Sequence, residues 1–143
     1  MINYRSLNGR LHGGMKYQLI DDMVQISLPS AFHSIHPVKN RVLYQNWEKV
    51  AFITPYGSRL RIYAPYRWNG ANAAIDSADF MEGSMVHDVL CDMIEKGILP
   101  LSLWGPSADV MRRINKQEKM PWLRRQYTWF FVRLHGVRKK VWR

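Results

Sequence analysis

Residues Arg41 to Ala64 read RVLYQNWEKVAFITPYGSRLRIYA. Apolar and polar residues alternate through most of this stretch, and it is rich in β-branched and aromatic types. A period of two places one set of side chains against a core and the other in solvent, which is what a half-buried strand requires. Pro55-Tyr56-Gly57-Ser58 breaks the alternation with residues that favour a turn. The stretch therefore predicts a β-hairpin or a three-strand meander. Upstream, Lys16 to Leu28 (KYQLIDDMVQISL) reads as two short extended runs on either side of a turn at Asp21-Asp22.

Downstream of Ala64 the period changes. Residues 65–78 (PYRWNGANAAIDSA) read as a loop built from Pro65, Asn69, Gly70 and Asn72, and a loop of that length in a small domain is often functional. A helix is then expected from Asp79, with Asp79 as N-cap and Glu82 three residues on as its capping-box partner, to about Lys96-Gly97. A second helix should open after Gly105 with Pro106 in its first turn and run to about Glu118. A third should open at Pro121 and close at Gly136; because PWLRRQYTWFFVRLHG has few polar positions, it is expected to be the most buried of the three.

The fold class expected is α+β: N-terminal antiparallel hairpins or a meander packed against about three C-terminal helices. With 143 residues and 47% apolar content, the chain has enough material for one core and shows no internal linker. It reads as a single domain, 1–143, with strands over 1–64, a loop over 65–78, helices over 79–136 and a basic tail over 137–143. Cys91 is the one cysteine, which excludes an internal disulfide and any multi-cysteine zinc site. No run approaches the ~18 apolar residues of a membrane span, and the opening MINYRSLNGRLHGG does not resemble a signal peptide. Folding in a cytoplasm is the expectation.

The net charge of +10 is concentrated. Residues 1–111 carry ten Lys/Arg and ten Asp/Glu, whereas residues 112–143 carry eleven Lys/Arg against Glu118 alone. Such an end attracts phosphates, acidic protein surface or anionic lipid headgroups. Its closing phrase VRKKVWR sets Trp142 among Arg138, Lys139, Lys140 and Arg143. Together with Arg124, Arg125 and Arg133, these residues form the candidate binding set for a protein partner or a nucleic acid, since a ring beside cations can stack on a base or fill a pocket.

Chemistry is suggested by MVHDVLCDMI, residues 85–94. On a helix, Val86, Val89, Leu90, Met93 and Ile94 share one arc and Ser84, Asp88, Asp92 and Glu95 another, leaving His87 and Cys91 on the border. Three readings follow. His87 and Asp88, with Asp109 and either His33 or His36, would be ligands of a divalent metal that activates water in a hydrolase. This His, His-Asp, Asp order is similar to that of the HD phosphohydrolases, which are helical throughout, unlike the strand-rich first half here. Alternatively, Cys91 would be a nucleophile with His87 as its base one turn away. In the third reading, His87 and Asp88 form a structural polar centre with Asn69 and Gly70, tying the helix to the preceding loop.

The phrases YRWNGAN, HDVL, Ala108-Asp109 and VRLHG, taken together over about residues 64–136, resemble an uncharacterised family of small phage and prophage proteins. In that family an aromatic-x-Asp-Gly-Ala-Ser loop precedes a His-Asp-x-Leu-Tyr helix, an Ala-Asp helix and an aromatic helix. Asn69-Gly70-Ala71 stands at the Asp-Gly-Ala position, His87-Asp88 at the His-Asp pair and Ala108-Asp109 at the Ala-Asp pair. Asn69 replaces a carboxylate and Cys91 replaces a tyrosine, and an amide cannot serve as a base at neutral pH. The resemblance implies a phage-encoded accessory or virion-associated protein, of the tail or of the ejected set. Its expected partners are phage structural proteins or nucleic acid, and its expected location is the cytoplasm of the infected host or the virion. It implies no cofactor; a divalent metal belongs only to the hydrolase alternative.

Overall fold

The computed structural model describes residues 2–8, 11, 14–33, 41–69 and 78–130. Its strands are β1 (Tyr4–Ser6), β2 (Tyr17–Leu19), β3 (Met23–Ser27), β4 (Val42–Gln45), β5 (Glu48–Ile53), β6 (Arg59–Tyr63) and β7 (Arg67–Trp68). They are followed by α1 (Met81–Glu95), α2 (Trp104–Gln117) and a third helix, α3, over residues 122–130. The class is α+β: two antiparallel sheets, then three helices.

The meander expected between Arg41 and Ala64 is present. Asn46 and Trp47 carry positive φ of 51° and 67°, the paired left-handed conformation whose twist suits a two-residue hairpin, and they join β4 to β5. Trp47 stands almost fully exposed at that tip. A short 3-10 turn over Pro55–Gly57 joins β5 to β6, and β3 adds to the far edge to give the order β3-β6-β5-β4. The period-two prediction holds in β6, where Leu60 and Ile62 are fully buried and Arg59, Arg61 and Tyr63 are not.

Asp21-Asp22 does separate β2 from β3, yet the two strands do not pair with each other. β2 lies between β1 and β7 in a second sheet, while β3 pairs with β6. The Asp21 carboxylate holds the corner by accepting the backbone N–H and the side-chain amide of Asn3, each at 2.8 Å. The expected loop over 65–78 is corrected at its start, because Arg67–Trp68 is a strand paired to β2. Gln45 explains how: its side-chain amide donates to the Arg67 carbonyl (3.0 Å) and accepts from the Arg67 N–H (2.8 Å), replacing a strand partner with one side chain. Residues 70–77 lie outside the described residues.

The α1 start is also corrected. Phe80, not Asp79, occupies the N-cap, and no side chain caps the helix. Asp79 instead pairs with Arg124 of α3 at 3.4 Å, so the carboxylate that would have satisfied backbone donors holds a cation on another helix. The α1 end is as expected: Gly97 takes φ 77°, and the N–H groups of Gly97 and Ile98 return to the carbonyls of Ile94 and Met93. α2 keeps Pro106 in its first turn.

Val86, Val89, Leu90, Met93 and Ile94 of α1 enter one core with Leu19, Val50, Ala51, Ile53, Leu60, Ile62, Tyr66 and Trp68 from both sheets. A smaller cluster of Phe80, Met111 and Met120, with Trp129 against it, lies at the base of α3. Ser84, expected on the polar arc of α1, is buried. The described part of α3 departs from the expectation: Trp122, Leu123, Tyr127 and Phe130 are 58–76% exposed, and Thr128 is the one described residue of that helix that is fully buried, while the expected close at Gly136 lies outside the described residues.

Candidate functional site

The tie between α1 and the segment before it is made by residues that strand alternation places together. Tyr66 and Trp68, two apart, are both buried and stack with ring centroids 6.2 Å apart. Each ring carries a polar atom into the core, and burial of such an atom is tolerated only when it is hydrogen-bonded. The Tyr66 hydroxyl donates to Asp92 Oδ2 at 2.8 Å, and Trp68 Nε1 donates to Ser84 Oγ at 3.2 Å. The Ser84 hydroxyl in turn donates to the Met81 carbonyl. Burial, then the negative charges of Asp92 and Asp88 and the bond to Asp92, hold the Tyr66 hydroxyl well above its ordinary value near 10. This hydroxyl is therefore a fixed donor, not an acid poised for proton transfer.

A polar tie between α1 and the YRW segment thus exists, but through Tyr66, Trp68, Ser84 and Asp92. Of the residues expected to make it, Asn69 is half-buried beside Trp68 at the end of β7, and Gly70 lies outside the described residues. The signal in the sequence was the aromatic pair at i, i+2, which any strand puts on one face. It was obscured because Pro65, Asn69 and Gly70 made the segment read as loop.

His87 and Asp88 sit where the helical projection put them, partly exposed on α1 with side chains at 12% and 25%. The closest approach of His87 Nδ1 to Asp88 Oδ1 is 4.0 Å, beyond hydrogen-bond length. His87 instead lies against Cys91, with Nε2 3.5 Å from Sγ, the i, i+4 contact expected of a helix. Asp109 does not join them. Its Oδ1 accepts from Trp129 Nε1 at 2.8 Å and lies 3.7 Å from the Arg112 guanidinium, which itself stacks over the Trp129 ring at 4.5 Å. His33 Nε2 is 2.9 Å from the Leu28 carbonyl at the end of β3, and His36 lies outside the described residues. Among the described residues, no three His, Cys, Asp or Glu side chains come together in a way that could hold a metal ion.

One carboxyl has its chemistry changed. Glu82, half-buried in the first turn of α1, has its pKa raised to about 7 by burial, then by the hydrogen bond and like charge of Glu118 at the end of α2. Where the same helices cross, Gly83 is packed so closely that an added Cβ would lie 2.2 Å from Asn115 Oδ1.

Residues 122–130 place the binding set. Advancing about 100° per residue, Trp122, Gln126, Phe130, Leu123 and Tyr127 fall on one outward arc, while Thr128 turns inward. Trp129 and then Arg125 follow Trp122 on one side of that arc, and Arg124 lies on the other, turned to Asp79. The inner side is anchored by polar bonds: Arg124 to Asp79, Trp129 to Asp109, and the Thr128 hydroxyl to the Arg124 carbonyl. These anchors, two of them carboxylates on other elements, explain why the apolar side of α3 faces out. Arg133, Arg138, Lys139, Lys140, Trp142 and Arg143 lie outside the described residues. No protein-family model, curated protein or solved structure matches this chain.

Proposed function

We propose that this is a phage-encoded accessory or virion-associated protein that acts by binding an anionic partner through its basic, aromatic C-terminal region. The observation that supports it is the outward face of α3, where Trp122, Leu123, Tyr127 and Phe130 are exposed within the stretch that holds the whole positive excess of the chain. Monomeric proteins rarely leave large apolar side chains contiguous on the surface unless they serve contact. The phage assignment rests on the motif phrases between residues 64 and 136. A tail or ejected protein would meet phage structural proteins, nucleic acid and the host envelope in turn.

The alternative, a metal-dependent hydrolase centred on His87, Asp88 and Asp109, is not favoured by the geometry: Asp109 is engaged by Trp129 and Arg112. Metal analysis of the purified protein, followed by His87→Ala and Asp88→Asn, tests it directly. Binding is tested by retention of the full chain on immobilised heparin, a generic polyanion, against a variant lacking residues 137–143. Salt-dependent retention that falls on deletion supports the reading. Failure of the intact chain to bind any polyanion or anionic surface overturns it.

A further inference from the structure

We propose that the outward face of α3 is a docking surface for a lipid bilayer rich in anionic headgroups, with the helix lying in the plane of the interface. The inference rests on the binding reading above and names the partner. Trp122, Leu123, Tyr127 and Phe130, exposed by 62%, 76%, 58% and 61%, share an arc whose one further member is the uncharged Gln126. Arg125 flanks it on the Trp122 side, beyond Trp129, and Lys116 and Lys119 stand exposed just before the helix. An apolar arc containing Trp, Tyr and Phe with cations along its rim is the pattern of an interfacial helix: the rings and Leu123 enter the acyl boundary while the long basic side chains reach the phosphates.

Two other occupants fit less well. A single-stranded nucleic acid requires cations interleaved with stacking rings, whereas here the arc itself carries no charge and Leu123 sits near its middle. A second copy of the chain would bring two +10 bodies together. Anionic lipid satisfies both properties of the surface, since it accepts the apolar arc and neutralises the charge that repels another copy.

The test uses the full-length protein in flotation assays with vesicles of phosphatidylcholine alone and of phosphatidylcholine with 30–40% phosphatidylglycerol, roughly the anionic fraction needed for a strong surface potential. The expected result is flotation with the anionic vesicles, weakened by salt, and a blue shift of tryptophan emission as Trp122 leaves water. The double variant Leu123→Ser, Tyr127→Ser changes exposed side chains and should keep its melting temperature while losing at least ~10-fold in vesicle partitioning. Equal partitioning of the variant and the wild type would overturn the proposal. So would a dimer in sedimentation that dissociates in the variant. If the protein binds an oligothymidylate or heparin but not anionic vesicles, the lipid assignment fails and the binding reading stands. If it binds none of the three, both fail.

Discussion

α1 and α3 have comparable apolar content and face opposite ways. α1 turns Val86, Val89, Leu90 and Met93 into the core formed with both sheets, whereas α3 turns Trp122, Leu123, Tyr127 and Phe130 into solvent. The difference lies in the polar groups. On α1 the buried side carries one polar side chain near its start, Ser84, and Trp68 satisfies it. On α3 the inner side carries the groups with committed partners: Arg124 with Asp79, and Trp129 with Asp109 and Arg112. An ion pair or a charge-assisted hydrogen bond is directional, while the hydrophobic effect is not, so a few such bonds can set the rotation of a short helix. A high apolar count therefore identifies a helix that needs a partner without saying whether this chain supplies it.

The widest contrast should come from truncating a leucine on each helix. Leu90→Ala, at a site with no exposure, should cost about 2–5 kcal/mol by denaturant unfolding, because it leaves a cavity among packed side chains. Leu123→Ala should change stability by no more than about 0.5 kcal/mol. Similar losses at the two sites would mean that the α3 face is covered in solution.

Gly83→Ala should cost about 1–3 kcal/mol, since the new Cβ collides with the buried Asn115 amide, which must turn, and comes within 3.2 Å of the Met111 carbonyl. A neutral result, read by thermal melting, would show that the α1–α2 crossing has slack. Tyr66→Phe should cost about 1–2 kcal/mol by leaving Asp92 without its buried donor. It should also change the alkaline limb of the stability curve. The folded Tyr66 hydroxyl keeps its proton beyond the unfolded value near 10, so its contribution is whole below about pH 10 and is lost as pH rises further. The variant should show a shallower decline there.

A smaller effect, confined to one side of neutral pH, is expected at Glu82. Its pKa is raised from 4.5 to about 7, so the unfolded chain releases this proton between those values while the folded chain retains it. Stability associated with the group is therefore full below pH 4.5, declines as pH rises to 7 and stays at the lower level above. Glu82→Gln should leave the melting temperature unchanged at pH 4 and raise it at pH 8 by about 2–4 °C. That is the shift from about 1 kcal/mol in a chain of this size, after allowing for solvent screening of a half-exposed carboxyl. No gain at pH 8 would mean that neither burial nor the Glu118 charge penalises the ionised Glu82 in the folded state.

The readable parts of this molecule were those governed by neighbours in sequence. Period-two alternation located β4, β5 and β6, Gly97 located the end of α1, and the 3.6-residue period put His87 and Cys91 on the border where the structure has them. The unreadable parts depend on residues far apart in the chain. β7 exists because β2, at Tyr17 and Gln18, pairs with it on one edge and Gln45, 22 residues earlier, supplies both hydrogen bonds to Arg67 on the other. Asp79 leaves the cap of α1 because Arg124 is within 3.4 Å. Asp109, one of three candidate ligands, is taken by Trp129, 20 residues away.

Local spacing was thus enough for the α+β class, for the meander and for the buried arc of α1, because strand and helix periodicities are properties of the backbone alone. Which strand runs share a sheet, which carboxylates meet which cations and which side of α3 faces water were set on folding. Each of those outcomes depends on a competition among distant partners, and a sequence presents the competitors without their distances.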